Sequence, residues 1–219
     1  MWYFLDYNPE PKIFKVTDQT KNLFDKALEV KKRFFDIHYD EHLDDDIILD
    51  YIEIKANSIF SDILWDYLYQ GEIKIISEKS WNVIREFNLL NIKSYLTIVK
   101  RNDISKKYYS LRGFGEIYQF IDFNKSSFSW YKSKIKNSER INFDNEKQYR
   151  EFSKSVGPID SINPLEIFFT SEFINKEYDL IPLGYLKPCS FLVSKRLKEK
   201  LDTEKLIGFE FKECEYIKT

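Results

Sequence analysis

The only two histidines of the chain fall in a spacing that can bind zinc. His38 and His42 flank Glu41 in the pattern H-x-x-E-H, in which two imidazoles on one helix face coordinate the metal and the glutamate acts as base. Such a site also needs a downstream acidic ligand and a long apolar helix, whereas the neighbouring residues here are acidic. This context favours a solvated acidic turn. Adventitious metal binding and a small metal-dependent hydrolase using these three residues are the alternatives.

The same residues lie in an acidic segment, residues 36–53, which contains no Lys or Arg. Its eight acids are Asp36, Asp40, Glu41, Asp44, Asp45, Asp46, Asp50 and Glu53. The run Asp44-Asp45-Asp46 points its side chains in different directions, which is a poor geometry for one cation. Residues 91–140, in contrast, hold eleven bases and four acids. Either the two regions face each other or are simply solvated, or the acidic segment meets a basic partner.

Other catalytic patterns are weak. Ser77 and Ser194 each follow a short apolar run and precede a helical pattern, so we interpret them as helix caps rather than nucleophiles. Cys189 could pair with a histidine as a nucleophile, but a small core residue is the favoured interpretation. The run Gly113-Phe114-Gly115 lacks the third glycine of a dinucleotide loop and predicts a hairpin turn. No cofactor and no resident metal are expected, although a carboxylate site like that of a glycosidase or nuclease stays open.

Composition narrows the class of protein. The 219 residues include 19 Phe, 15 Tyr and 4 Trp, but only two Cys, and the net charge is −2. A disulfide framework is therefore not expected, and Cys189 and Cys214 are predicted to be buried thiols. The start of the chain has no basic residues and no long apolar stretch, so we expect a cytoplasmic protein without a signal peptide. We expect a single domain over 1–219, with an N-terminal subregion at 1–60 and a core at 61–219.

The predicted fold class is α+β, with mixed or antiparallel sheets and a few amphipathic helices. The pattern predicts a helix over 19–35 and a short helical segment over 63–69, and alternation predicts a strand over 116–123. A strand–Ser–helix–strand pattern occurs twice, around Ser77 and around Ser194, which are 117 residues apart. In this alignment Ile84 matches Leu201, and Leu89-Leu90 match Leu206-Ile207. The core is thus expected to contain two related strand–helix–strand units.

These features resemble a known family. The matching residues are the opening strand, Ser61-Asp62-Ile63-Leu64, the step Ile75 to Lys79, and the C-terminal runs Phe191 to Leu197 and Leu206 to Phe211. Over roughly 61–215 they resemble a family of bacterial immunity proteins from polymorphic-toxin systems, long catalogued as a conserved domain of unknown function. The motifs are structural, and the family has no established catalytic residues.

The resemblance implies a cytoplasmic antidote that binds a cognate toxin domain and blocks it, without catalysis of its own. The Tyr and Trp residues would supply interface anchors, and the acidic segment could cover a basic active site. The expected toxin contacts are Asp36, Asp40, Glu41, Asp44, Asp45 and Asp46. No membrane partner is expected, and nucleic acid is disfavoured by the net charge. A nucleic-acid-binding module that uses the basic middle of the chain is the remaining alternative.

Overall fold

The computed structural model describes residues 1–7, 49–54, 56, 59–64, 73–113, 117–157, 159–183, 186 and 190–218. Its strands are β1 (Trp2–Tyr7), β2 (Leu49–Glu53), β3 (Ile63–Leu64), β4 (Ile73–Ser77), β5 (Ile92–Arg101), β6 (Ile104–Gly113), β7 (Ser127–Lys132), β8 (Asn137–Ile141), β9 (Ser161–Phe168), β10 (Leu180–Pro182), β11 (Phe191–Ser194), β12 (Phe209–Glu213) and β13 (Ile217–Lys218). Its helices are α1 (Glu78–Ile84), α2 (Glu146–Ser155), α3 (Ser171–Lys176) and α4 (Lys195–Thr203). Helices and sheets of both mixed and antiparallel type confirm the α+β class. None of the helices among these residues is long and apolar enough to cross a bilayer.

Two of the sheets repeat one arrangement. In the first unit, strands β3, β4, β6 and β5 lie side by side in that order, and in the second unit β10, β11, β1 and β12 do the same. Ile63 pairs with Ile76 in the first unit, and Leu180 pairs with Val193 in the second. Both members of the second pair lie 117 residues after those of the first. The predicted repeat is therefore confirmed, down to the register of its strands.

The third strand of each unit has a different origin in the chain. In the first unit it is β6, which follows β5 through a tight hairpin, whereas in the second unit it is the N-terminal strand β1. Leu111 of β6 lies opposite Ser94, and its equivalent Leu5 of β1 lies opposite Phe211. Phe211 again follows Ser94 by 117 residues. The second unit is thus a circularly permuted copy of the first.

The two units share one hydrophobic core. Its buried residues include four pairs of equivalent positions: Ile63 and Leu180, Ile76 and Val193, Ile84 and Leu201, and Leu111 and Leu5. Successive side chains of a strand point to opposite faces of its sheet. The residues next to Leu180 and Val193 therefore lie on the face of the second-unit sheet that points away from the first unit. There, Ile181 and Leu192 belong to a separate core with the third sheet. The second-unit sheet is therefore the middle layer of three.

The third sheet, in the order β13-β9-β7-β8, comes mostly from the chain between the two units. Its core is aromatic: Phe128 is fully buried, with the rings of Phe123, Phe143 and Tyr149 between 5.2 and 6.1 Å from its own. Cys214 is a buried thiol in the same core, as predicted. Cys189 lies outside the described residues.

Three local predictions need comment. Ile63–Leu64 forms strand β3 rather than the start of a helix, because both residues pair with β4. The strand predicted over 116–123 is instead a 3₁₀ turn at Ile117–Phe120, which buries three of its four side chains. The helix predicted over 19–35 lies outside the described residues.

Gly208 stands where the two units meet, and we expect Gly208→Ala to lower the free energy of unfolding by about 2 kcal/mol. Its φ is +95°, and an added Cβ would lie 2.1 Å from the hydroxyl of the buried Ser61. Urea unfolding of the variant measures the loss. Gly157→Ala is the matched control, because its added Cβ would lie 3.7 Å from Asp160 Oδ2, an ordinary van der Waals distance. Equal unfolding midpoints for the two variants would contradict this role of Gly208.

Candidate functional site

The residues predicted to do chemistry or to contact a toxin lie outside the described part of the chain. These residues are Asp36, His38, Asp40, Glu41, His42, Asp44, Asp45 and Asp46. Neither the zinc spacing nor the toxin contact is therefore tested by the fold. Within the described ranges, no group of three or more His, Cys, Asp and Glu side chains is placed to hold a metal ion.

Ser77 and Ser194 are helix caps, as predicted. The Ser77 hydroxyl accepts the amide of Ser80 at 3.1 Å, and the Ser194 hydroxyl accepts the amide of Leu197 at 3.1 Å. Each hydroxyl also donates to a carboxylate at 2.6 Å, that of Asp62 for Ser77 and that of Asp179 for Ser194. Both hydroxyls are thus engaged in holding local structure.

The two carboxylates link the units to each other. Asp62 Oδ2 accepts the amide of Ile207, which follows α4 of the second unit, at 2.8 Å. Conversely, Asp179 Oδ2 accepts the amide of Asn88, which follows α1 of the first unit, at 3.1 Å. Each aspartate therefore binds the cap of its own unit and a loop of the other.

These bonds correct the sequence alignment in the loop that directly follows each helix, before the spacing of 117 returns in β5 and β12. Asn88 corresponds to Ile207, 119 residues away, so that the predicted match of Leu89-Leu90 with Leu206-Ile207 is wrong by two positions. The cause is that α4 has nine residues and α1 has seven. The sequence did contain a signal for the aspartates, since Asp62 and Asp179 are themselves 117 residues apart.

Asp179 is the more enclosed of the two. It is 1% exposed, and its oxygens also accept the guanidinium of Arg196 at 3.1 and 2.6 Å. This hydrogen bond and the carboxylate charge raise the pKa of Arg196 above its ordinary value. A buried carboxylate with a full set of donors is a structural anchor rather than a group free to act on a substrate.

Tyr108 of β6 connects this network to the first sheet. Its phenol is buried and donates to the carbonyl of Ser61 at 2.7 Å. Burial, and to a smaller extent the charge of Asp62, raises the pKa of Tyr108. The folded state therefore favours the neutral phenol.

We expect Tyr108→Phe to cost about 1 kcal/mol at pH 7 through the lost hydrogen bond. Because the pKa of Tyr108 is higher in the folded state, its contribution is complete below about pH 10, where an unfolded tyrosine begins to ionise, and is lost as the pH rises further. The stability difference between wild type and variant should thus shrink above that pH. Urea unfolding between neutral and alkaline pH measures it, and parallel curves would refute the assignment.

The first unit has an addition that the second lacks. Strands β5 and β6 are ten residues each, whereas their counterparts β12 and β1 have five and six. We call residues 97–107, which extend beyond the common part, the hairpin extension. It contains four bases, Lys100, Arg101, Lys106 and Lys107, against the single acid Asp103. Residues 102–107 at its tip are all exposed.

Two of these bases are held in place by an aromatic ring. The Arg101 guanidinium lies 4.8 Å and the Lys106 ammonium 4.5 Å from the centre of the Phe60 ring. Cation–π contacts of this kind stabilise a charged side chain in one position. At the base of the extension, the hydroxyls of Thr97 and Ser110 are bonded across the strands at 2.6 Å. The hairpin extension is therefore a well-defined basic platform.

The end of the acidic segment pairs with the hairpin extension in one sheet. Strand β2 pairs with β5 in parallel, with Leu49 opposite Thr97 and Glu53 opposite Lys100. The amide of Ile54 then donates to the carbonyl of Lys100 at 2.8 Å. Residues 49–53 of the acidic segment and the hairpin extension thus share a sheet through their backbones, while the other acids of the segment lie outside the described residues.

No protein-family model matches the chain, and no curated protein matches its sequence.

Proposed function

We propose that this protein is a cytoplasmic immunity protein, which binds and neutralises a cognate bacterial toxin domain by protein–protein contact. The observation that carries the proposal is the attachment of the acidic segment to the hairpin extension. This is the part of the first unit that its permuted copy lacks, so the common architecture does not require it. A feature added to one copy of a repeat is a natural place for a recognition surface.

The anchoring of β2 favours binding on physical grounds. A recognition segment fixed at one end to a sheet loses less conformational freedom on binding than a free chain does. The acids upstream of β2 then supply the charge that would attract and orient a basic toxin surface. The predicted contact is formed by the acids of this upstream part, Asp36, Asp40, Glu41 and the run Asp44 to Asp46.

The engagement of Ser77, Ser194, Asp62 and Asp179 in structural bonds also supports a binding role. Each of these four side chains stabilises a helix start or the contact between units. The resemblance to polymorphic-toxin immunity proteins leads to the same function from the sequence.

The proposal is tested by co-expression in bacteria. The partner is the C-terminal toxin domain encoded directly beside the gene for this chain, produced from an inducible promoter. Growth should be restored when the chain is present, because the complex forms in the cytoplasm. A toxin domain of a different type, taken from another locus, is the matched control and should still stop growth. Continued killing by the neighbouring toxin despite soluble chain would refute the proposal.

A further inference from the structure

Large apolar side chains are exposed at one end of the third sheet. Ile135 is 62% exposed and Ile159 61%, the highest values for isoleucine among the described residues, and Tyr131 is 36% exposed. Ile135 lies in the 3₁₀ turn that follows β7, whereas Ile159 precedes β9. Isolated exposed apolar residues need no explanation, but a group on neighbouring segments indicates an interaction surface.

The segments that carry these side chains are joined to each other. The amide of Ser133 donates to Asp160 Oδ1 at 2.8 Å, which links the turn after β7 to the residues before β9. Tyr131 lies opposite Ser161 in the same strand pair. The end of helix α2 is joined to them by the edge-to-face contact of Trp130 with Phe152, whose ring centres are 5.1 Å apart. The surface is therefore formed before any partner arrives.

Three exposed lysines lie on these linked segments: Lys134 and Lys136 flank Ile135 in the turn, and Lys154 lies at the end of α2. Lys134, Lys136 and Lys154 are exposed and form no ion pair with the described residues. Neighbouring bases of the same sheet and helix are paired, as the following distances show: Lys132 to Glu139 at 2.6 Å, Arg140 to Glu166 at 3.1 Å and Arg150 to Glu146 at 2.6 Å. The segments that carry the exposed isoleucines, together with the adjoining end of α2, therefore carry three cations that no described residue neutralises. We call Tyr131, Ile135, Ile159 and these three lysines the lysine–isoleucine surface.

We propose that the lysine–isoleucine surface is a second docking site, which binds an acidic protein segment with carboxylates on either side of an apolar side chain. The lysines select the charge of the partner, and the isoleucines and Tyr131 bury its apolar side chain. A protein segment fits better than an anionic lipid surface. The half-exposed Glu139 and the carboxylate of Asp160 lie among the lysines, and a lipid surface would be repelled by them, whereas a segment can place its carboxylates on the lysines alone.

The test uses the full chain and a fluorescent random copolymer of glutamate and tyrosine as the probe. Fluorescence anisotropy should report binding to the wild type that weakens with added salt, and no binding of a lysine–tyrosine copolymer. The variants K134E/K136E/K154E and I135S/I159S should each weaken binding at least tenfold. These five side chains are exposed, so the variants should fold, which circular dichroism checks. The matched control K125E/K147E/K195E reverses the same number of charges at exposed lysines that are already ion-paired, and should stay within twofold of wild type.

Three results would overturn the proposal: no binding of the glutamate–tyrosine copolymer, an equal loss in the control variant, or unchanged binding after K134E/K136E/K154E. Binding of phosphatidylglycerol vesicles in place of the copolymer would assign the surface to lipid instead. The test is independent of toxin neutralisation, because replacement of Asp44, Asp45 and Asp46 should leave copolymer binding unchanged.

Discussion

Asp179→Ala is expected to lower the free energy of unfolding by about 3 kcal/mol. The carboxylate is almost completely buried and accepts hydrogen bonds from Ser194, Arg196 and the Asn88 amide. Removing it leaves the Asn88 amide and the Ser194 hydroxyl without this acceptor and breaks one of the two carboxylate links between the units. Urea unfolding followed by tryptophan fluorescence measures the change.

Matched variants separate this role from a general effect of losing an acid. Asp62→Ala should cost about 1.5 kcal/mol, because Asp62 is half-buried and no arginine of the described ranges pairs with it. Glu215→Ala, at an exposed carboxylate, should change stability by less than about 0.5 kcal/mol. In a double-mutant cycle, Asp179→Ala and Ser194→Ala should show a coupling of about 1 kcal/mol or more, since the two side chains bond directly. Additive losses would show that the bond between Asp179 and Ser194 does not stabilise the fold, and a loss no larger than that of Glu215→Ala would show that Asp179 does not anchor the two units.

Reversal of the acidic run, D44K/D45K/D46K, is expected to weaken binding of the cognate toxin domain at least hundredfold, which corresponds to about 2.7 kcal/mol. The proposed contact is electrostatic, so three attractive charges become three repulsive ones. The wild-type affinity should also fall as salt is added, and that of the variant should fall less. Isothermal titration calorimetry with the purified toxin domain at two salt concentrations measures both effects.

The matched control for this variant is E172K/E213K/E215K, which makes the same change of charge at exposed acids on other elements. It should bind the toxin domain within about fivefold of wild type, because these acids are not part of the proposed contact. Equal losses in the two variants would mean that only net charge matters, and no loss in either would remove the acidic segment from the interface.

Local signals in the sequence predicted the repeated core. Ser77 and Ser194 each stand between an apolar strand and an amphipathic helix, and a cap depends on contacts only three residues away. The common spacing of 117 residues then identified the two copies. The α+β class followed from the same local patterns.

Long-range pairing was not predictable in this way. Strand β1 completes the second unit by pairing with β11 and β12, which lie about 200 positions later in the chain. No local pattern in Trp2 to Tyr7 predicts this pairing. Asp62 and Asp179 were missed for the same reason, since each accepts an amide from the other unit. The sequence indicates a common role for Asp62 and Asp179 only once it is noticed that they are 117 residues apart, like Ser77 and Ser194.

Local sequence patterns predict the wrong secondary structure around a proline and around a group of buried aromatic and aliphatic residues. Proline is usually read as a loop signal, yet Pro164 lies within β9, opposite Phe128, next to a register irregularity of the strand pair. Proline is tolerated there because a bulge leaves ladder hydrogen bonds unmade. The apolar residues Ile117, Tyr118 and Phe120 imitate a strand, but they are buried from a single 3₁₀ turn.

Titration of the cognate toxin domain with the purified chain tests the central claim most directly. Residual toxin activity is measured as a function of the molar ratio of the two proteins. The molecular mass of the recovered toxin domain is then measured by mass spectrometry. Stoichiometric binding predicts that activity falls linearly to zero at about one equivalent, and that the toxin returns unmodified and active after the complex is dissociated. Full toxin activity in the presence of excess chain, or its loss with a small fraction of an equivalent, would contradict neutralisation by binding.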